Sequence, residues 1–243
     1  MKYYKIRNSL SRSIVGKYTQ AKEAIYTCDI WDDPEFIDHR NVHFKNVDFE
    51  PKIAKAVLWK KAKITDLISA EMIGFSRKLL MSGKLKAILQ DSKAIGLQFF
   101  NAPIIHQDKE FEDYWVLNPY VLDFKAIDFR KAKVFLMERT FYKVEQLQVL
   151  TYQDFLFEKQ RIEEKGYPSS IFIEKLDFLE DSEDLLVLEH VEGGAMYIAS
   201  EILKERIEKA GITGVEFQPS HLSLNEWLSP AKERENIYGK SNA

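Results

Sequence analysis

The chain has 243 residues, enough for one large domain or two modest ones, and its 45% hydrophobic and 30% charged residues are ordinary for a globular protein. Its net charge of −3 argues against a nucleic-acid partner, because proteins that bind nucleic acid more often carry a positive field. The single cysteine and the lack of a signal-peptide pattern or a long uncharged apolar run predict a cytoplasmic protein with no membrane partner.

Residues 1–58 are predicted to be an irregular N-terminal segment. They contain an acidic and aromatic stretch, CDIWDDPEFIDH (28–39), and an alternating stretch, HFKNVDFEP (43–51), which predicts a strand. His39 and His43 have the spacing of two metal ligands on one face of a helix. The surrounding sequence does not predict a long helix, and it specifies no third ligand. We therefore expect surface histidines and no metal site.

The remaining region, 59–243, contains one local pattern twice, in units at about 63–104 and 171–219. Residues 82–99 read SGKLKAILQDSKAIGLQF, and residues 200–217 read SEILKERIEKAGITGVEF. The first serine fits a helix N-cap, leucines recur at helical spacing, and a glycine turns the chain into the next strand. Each copy therefore predicts a strand, a serine-capped helix of about three turns and a second strand. The residues with these scaffold roles are Ser82, Gly96, Phe99, Ser200, Gly211, Gly214 and Phe217.

The stretch between the two copies predicts further regular structure. YWVLNPYVLDF (114–124) and KVFLMER (133–139) are typical of strands, and LTYQDFLFEKQRIEEKGYP (150–168) predicts a helix that ends at Gly166. Together these patterns predict an α+β fold, with helices packed on a mixed sheet that is built around the two similar units. The sequence leaves open whether the whole chain forms one continuous domain.

No standard catalytic or nucleotide-binding motif is present. The chain has no glycine-rich dinucleotide fingerprint, no nucleophile elbow and no paired-histidine zinc-protease motif. Cys28 has no histidine, lysine or second cysteine beside it, which is typical of a buried apolar cysteine. We therefore predict a protein that is not an enzyme and uses no cofactor. The alternative is a hydrolase or nucleotide-modifying enzyme whose active site has no sequence signature.

Two acidic runs are predicted to lie in loops and are candidates for a partner-binding surface. Their ordinary role is solubility, and the functional alternative is a surface complementary to a basic protein. The residues are Asp108, Glu110, Glu112 and Asp113 in the first run, and Glu180, Asp181, Glu183 and Asp184 in the second.

Two stretches resemble a family of bacterial immunity proteins, the one numbered eleven and formerly classed as a domain of unknown function. YIASEILKERIEKAGITGVEFQP (197–219) is similar to the closing segment of that family. YWVLNPYVLDFKAIDFRKAKV (114–134) is similar to its central segment, although Ala132 stands where a small hydroxyl residue is expected.

The resemblance implies a binding function. Proteins of this family are encoded beside polymorphic toxins of interbacterial competition and neutralise the toxin in the producing cell. For this chain the resemblance implies a cognate toxin as the partner, bound directly and blocked without catalysis. Because the shared motif residues have scaffold roles, the toxin-binding residues are expected on loops. A duplicated scaffold module without a toxin partner is the remaining alternative.

Overall fold

The computed structural model describes residues 1–139, 142–180 and 182–239, and it confirms the predicted α+β class. The helices of the described residues are α1 (Arg12–Val15), α2 (Gly83–Ser92), α3 (Tyr152–Lys165), α4 (Glu201–Lys209), α5 (Leu224–Leu228) and α6 (Glu233–Tyr238). None of these described helices is both long enough and apolar enough to cross a membrane.

The strands are short and come mostly in antiparallel pairs. They are β1 (Tyr3–Asn8), β2 (Ala21–Ile25), β3 (Lys55–Leu58), β4 (Leu67–Ile68), β5 (Leu80–Ser82), β6 (Leu97–Asn101), β7 (Ile104–His106), β8 (Lys109–Phe111), β9 (Tyr114–Pro119), β10 (Lys133–Glu138), β11 (Tyr142–Gln146), β12 (Ser169–Lys175), β13 (Leu185–Val191), β14 (Gly194–Ser200) and β15 (Val215–Pro219). Parallel pairing occurs between β12 and β13 and between β3 and β7, so two of the three sheets are mixed, as predicted, and the sheet of β4, β5, β9 and β6 is antiparallel.

The chain divides into two units, each made of several chain segments. Unit 1 consists of Met1–Ile6, Leu122–Ile202 and Phe217–Ile237; unit 2 consists of Arg7–Val121, Leu203–Glu216 and Tyr238–Ala243. The predicted boundary at residue 58 has no counterpart in this division, because most of the first 58 residues belong to unit 2 together with the first repeat.

Unit 1 is organised around a seven-stranded sheet with the order β11-β10-β12-β13-β14-β1-β15. Helix α3 covers part of one face, burying Phe155 and Ile162 in an apolar core. Thr151 and Asp154 form a capping box at its start, and Gly166 follows its last residue. The helix therefore begins and ends where its sequence signals predict.

Unit 2 contains two four-stranded sheets, with the orders β2-β3-β7-β8 and β4-β5-β9-β6. Its core includes Phe36, Ile37 and Phe75, which come from segments without regular secondary structure. The strand predicted at 43–51 is absent, because this stretch forms turns and bends. The side-chain amides of Gln98 and Asn118 bond backbone groups within it, so side chains satisfy groups that a neighbouring strand would otherwise pair.

The two copies of the repeat have the same register. In the first copy Leu67 pairs with Met81, and in the second Leu185 pairs with Ala199. Both residues of the second pair lie 118 positions after those of the first. The strand pairing next to each helix is therefore the same in both copies, although the strands of the second hairpin are longer.

A serine–aspartate contact fixes each junction between strand and helix. The Ser82 hydroxyl donates to Asp66 at 2.7 Å, and its backbone N–H donates to the Asp66 carbonyl at 2.8 Å. In the second copy Ser200 makes the same two bonds to Asp184, at 2.5 and 2.8 Å. The Ser82 oxygen also accepts the N–H of Leu85, which confirms the predicted N-cap.

In each copy, one strand that pairs with the serine-bearing strand comes from outside the predicted repeat units. Strand β9 pairs with β5, placing Tyr114 opposite Ser82, and β1 pairs with β14, placing Tyr3 opposite Ser200. Each tyrosine hydroxyl donates to a backbone carbonyl, that of Thr65 for Tyr114 and that of Ser182 for Tyr3. Strand β1 therefore joins the second hairpin from the start of the chain, whereas β9 follows the first copy and joins that copy's own sheet.

The other repeated residues of the first copy also have structural roles. The Lys86 ammonium lies 3.2 Å from the ring centroid of Trp115 and 5.8 Å from that of Phe99. This cation–π contact explains why the pattern specifies a lysine as well as a phenylalanine. In the second copy Phe217 is buried in the core.

Two glycines of the second copy differ in what surrounds them. Gly211 ends α4 with a φ of +66°, and a Cβ there would meet no atom within 4 Å. Gly214 has a φ of +82°, and a Cβ there would lie 2.3 Å from the Leu67 carbonyl oxygen. Gly214 is therefore required by close backbone approach as well as by conformation.

We expect Gly214→Ala to lower the free energy of unfolding by more than about 2 kcal/mol, because it combines a positive φ with a backbone clash. Gly211→Ala, the matched control, carries the conformational cost alone and should lose about 1 kcal/mol. Urea denaturation of both variants measures the difference. Equal losses would mean that the close approach at Gly214 is not a constraint.

Candidate functional site

The acidic and aromatic stretch predicted to be irregular is anchored in unit 2 by its apolar residues. Phe36 and Ile37 are buried, and the Ile37 N–H donates to the Lys52 carbonyl at 3.1 Å. The Lys52 ammonium lies 2.7 Å from Asp33 and 3.3 Å from Glu35. The stretch therefore has a fixed path although it contains no helix and no strand.

Trp31 projects from this stretch into solvent. Its side chain is 73% exposed, while its backbone N–H donates to Asp29 Oδ1 at 2.8 Å. The N–H of Asp32 reaches the same oxygen at 3.3 Å. The turn is thus held by its own aspartate, and the large indole is presented from an ordered backbone.

The indole forms one wall of an open cavity of about 670 Å³, which we call the Trp31 hollow. Its lining combines apolar, acidic and basic side chains. They are Ile30, Trp31, Asp32, Asp38, Arg40 and Ile73, together with His39.

Beside this hollow lies a cluster of three charged or titratable groups, of which Lys78 is buried and Asp38 and His43 are half-buried. The Lys78 side chain has no exposed surface, and its ammonium lies 2.8 Å from Asp38 Oδ1 and 2.7 Å from His43 Nδ1. Asp38 Oδ2 accepts the N–H of Gly74 at 2.5 Å. Both oxygens of Asp38 are therefore engaged, and its carboxylate is fixed in the wall of the hollow.

The protonation states follow from this arrangement. Burial lowers the pKa of Lys78, and the adjacent Asp38 carboxylate opposes that shift. Burial, and next the Lys78 charge, lower the pKa of His43 to about 4. His43 is therefore neutral at pH 7, with Nδ1 as the acceptor from Lys78 and the proton on Nε2.

A smaller cavity of about 170 Å³ lies on another side of Asp38, lined also by His43, Ser76 and Arg77. Arg77 has a φ of 61°, and Phe44, next to His43, has a φ of 57°. Non-glycine residues with positive φ are uncommon and tend to occur at functional sites. Asp38 thus contributes to two neighbouring hollows.

The histidine pair considered as a metal site serves other contacts. His39 Nδ1 accepts the N–H of Asn41 at 3.2 Å, and His43 Nδ1 faces Lys78. Among the described residues, no three His, Cys, Asp or Glu side chains converge as a metal-binding group. Cys28 is half-buried, and burial followed by the charge of Asp33 raises the pKa of its thiol.

The first acidic run lies around the β7–β8 hairpin of unit 2. Asp108 is exposed in its turn, and Glu112 is exposed just after β8. Glu110 lies in strand β8 and pairs with Lys55, so the prediction of a loop is wrong at this position. Asp113 accepts the Trp115 indole N–H at 3.1 Å, and its carbonyl accepts the Gly83 N–H. Asp113 therefore supports the start of α2.

The second acidic run belongs to unit 1. Glu180 and Glu183 are exposed, whereas Asp181 lies outside the described residues. Asp184 is half-buried and holds Ser200, as described above. Its role is structural in the same way as that of Asp66. The exposed residues of the two runs are therefore Asp108, Glu110, Glu112 and Asp113 in the first run and Glu180 and Glu183 in the second, and of these Glu110 pairs with Lys55.

Sequence reasoning did not select Trp31 or the cluster around Lys78. The signal for Trp31 was present, since a tryptophan between aspartates in a stretch with a turn signal is unusual for a core residue. Lys78 had no such signal, because Asp38 lies 40 residues before it.

Comparison with models of protein families finds no match for this chain. Comparison with curated proteins finds no significant match either.

The shifted pKa of His43 predicts a loss of stability in mild acid. The unfolded chain takes up a proton near pH 6.5, whereas the folded state does so only near pH 4. Stability should therefore fall as the pH drops from 6.5 to 4, by at most about 1.4 kcal/mol per pH unit for this group. His43→Gln should remove this component from urea denaturation curves recorded across that range.

His221→Gln, which changes an exposed histidine of unit 1, is the control and should leave the dependence of wild type in place. A His43→Gln profile parallel to that of wild type would contradict the assignment.

Proposed function

We propose that this protein is an immunity protein that binds a cognate bacterial toxin and blocks it without catalysis. The observation that carries the proposal is the exposed Trp31, presented from a fixed acidic turn beside the Trp31 hollow. The resemblance of residues 197–219 and 114–134 to an immunity-protein family supports the same function.

The binding energy of a complex with the toxin would come mainly from a few side chains of the interface. A stable protein–protein interface buries about 1,600 Å² in total, and a few aromatic or arginine side chains provide most of its energy. An exposed indole on an ordered backbone loses little conformational entropy when a partner covers it. Trp31 therefore has the properties of a central contact in such an interface.

Acidic side chains would add speed and selectivity to this binding. Asp108 and Glu112 are exposed at the β7–β8 hairpin, and Glu180 and Glu183 are exposed in unit 1. Carboxylates at an interface steer a basic partner toward it and accelerate association. We therefore propose a toxin with a basic surface, as many proteins that act on nucleic acid have.

The enzyme alternative would use the cluster of Asp38, Lys78 and His43, since lowered pKa values occur at catalytic sites. The geometry favours a structural role for this cluster. The Lys78 side chain has no exposed surface, and its ammonium already contacts two partners. A substrate atom would have to displace one of them to reach the amine.

Co-expression of the chain with the toxin encoded beside it distinguishes these functions. Cell survival together with a co-purified complex is the expected result. Survival without a complex would favour an enzyme that reverses the damage. Death of the cells would contradict the immunity function and leave a scaffold module as the explanation.

We expect Trp31→Ala to weaken toxin binding by more than tenfold, about 1.4 kcal/mol, because it removes the central aromatic contact. Titration calorimetry of the purified pair measures the change. Tyr167→Ala is the matched control, since this aromatic residue of unit 1 is 90% exposed. An equal loss of toxin affinity in both variants, or no loss in Trp31→Ala, would show that Trp31 is not a central contact of the interface.

The electrostatic part of the proposal has its own test. The association rate should fall by roughly tenfold between low and high salt, because ions screen the attraction of exposed charges. The double variant Asp108→Asn and Glu112→Gln should slow association at low salt by about threefold. The double variant Glu163→Gln and Glu164→Gln, at two exposed positions of α3, serves as a charge-matched control. A rate insensitive to salt would show that the acidic hairpin does not steer the partner.

A further inference from the structure

We propose that the Trp31 hollow is a receptor for an arginine side chain of the partner. The inference rests on the proposed function and deepens it, because it specifies the chemistry of the contact at its centre. Three features of the hollow support it: the residues that line it, the charge around it and the fixed position of its walls.

The lining matches the two halves of an arginine side chain. Trp31 offers an exposed indole face, on which a planar guanidinium stacks favourably. Ile30 and Ile73 provide apolar surface for the three methylenes. Asp32 and Asp38 place carboxylates in the same lining, where the guanidinium N–H groups can donate to them.

The charge of the region favours a cation. The stretch 28–40 has five carboxylates, and the cations that it carries or that lie against it include Arg40, Lys52, Lys78 and Arg77, the last of which lines the second cavity of Asp38. Five carboxylates against these four cations leave an excess of one negative charge. Asp32 is exposed and forms no ion pair within the described part of the chain, so its charge is available at the rim.

The walls are fixed before any ligand arrives. Asp29 holds the turn of Trp31, and the Asp38 carboxylate is held by the Lys78 ammonium and the Gly74 N–H. Pre-organised walls reduce the entropy lost on binding. Lys78 is therefore a positioning residue, which keeps Asp38 in place and balances its charge.

Removing the charge of Arg40 is expected to change arginine binding in the opposite direction from removing the charge of Asp32. This exposed arginine lines the same hollow, so it repels an incoming guanidinium and competes with it for the carboxylates. Removing its charge should strengthen binding, whereas removing the charge of Asp32 should weaken it. A nonspecific disturbance of this surface would weaken arginine binding in both variants and would not strengthen it in one of them.

The test uses N-acetyl-L-arginine amide as the probe and the citrulline analogue, which has the same shape without the charge, as the control. The full-length chain labelled with ¹⁵N is titrated, and the indole N–H signals are followed by NMR. Trp31→Phe identifies the Trp31 signal by its loss, and retention of the amide spectrum shows that this variant folds.

We expect the arginine probe to shift the Trp31 signal in a saturable manner and the citrulline probe to bind at least about fivefold more weakly. Arg40→Gln should tighten binding of the arginine probe by about threefold, and Asp32→Asn should weaken it by a similar factor. An absent shift, equal shifts with both probes or equal shifts of all indoles would overturn the proposal.

The probe titration needs no toxin, so its failure and that of the proposed function are distinguishable. If the toxin complex forms but the arginine probe does not bind at the Trp31 hollow, this inference alone is refuted. Binding of the probe without any toxin complex would refute the immunity function and leave the hollow as an arginine site.

Discussion

The bond from a serine hydroxyl to an aspartate carboxylate at each strand–helix junction is the constraint on which both repeat units depend. It occurs as Ser82 with Asp66 and as Ser200 with Asp184. The bond joins the two strands of a hairpin at the residue where the second strand ends, so it sets the pairing register there. In the first copy the same serine oxygen caps α2, and thus one side chain links the sheet to the helix.

The outside strand that pairs with each serine-bearing strand follows a common pattern. The residue opposite each serine is a tyrosine, Tyr114 or Tyr3, whose hydroxyl bonds a backbone carbonyl before the aspartate. Strands β9 and β1 are therefore selected by the same local environment in each sheet. Strand β1 comes from the start of the chain and is distant in sequence from its partner β14, whereas β9 follows β6 of the same sheet after a single hairpin.

The candidate site is ordered by buried side chains and local hydrogen bonds and not by strand pairing. The stretch around Trp31 has no regular hydrogen-bond ladder, and it is held by buried Phe36 and Ile37 and by backbone N–H groups that donate to its aspartates. Loops of this kind tolerate changes at exposed positions while their anchors stay in place. Such an arrangement suits recognition of one particular partner, because the exposed residues can vary without disturbing the core.

The cluster of Asp38, Lys78 and His43 links this site to the interior. Burying an ammonium is costly, and two partners offset the cost by accepting its hydrogen bonds. The consequence at the surface is a carboxylate with a fixed position. The predicted loss of stability in mild acid and the proposed recognition at the Trp31 hollow therefore involve the same three side chains.

The sequence by itself determined the α+β class, the two repeated units, the N-cap at Ser82, the helix end at Gly166 and the αL position at Gly211. These features follow from interactions between residues a few positions apart, which local patterns record. Only the tertiary structure decided which strands complete the sheets and that residues 43–51 form no strand. It also decided that Asp113 and Asp184 have structural roles and that Lys78 lies against Asp38. The physical reason is that these contacts join residues far apart in the chain. Their formation depends on how whole elements pack, and no local period or spacing specifies it.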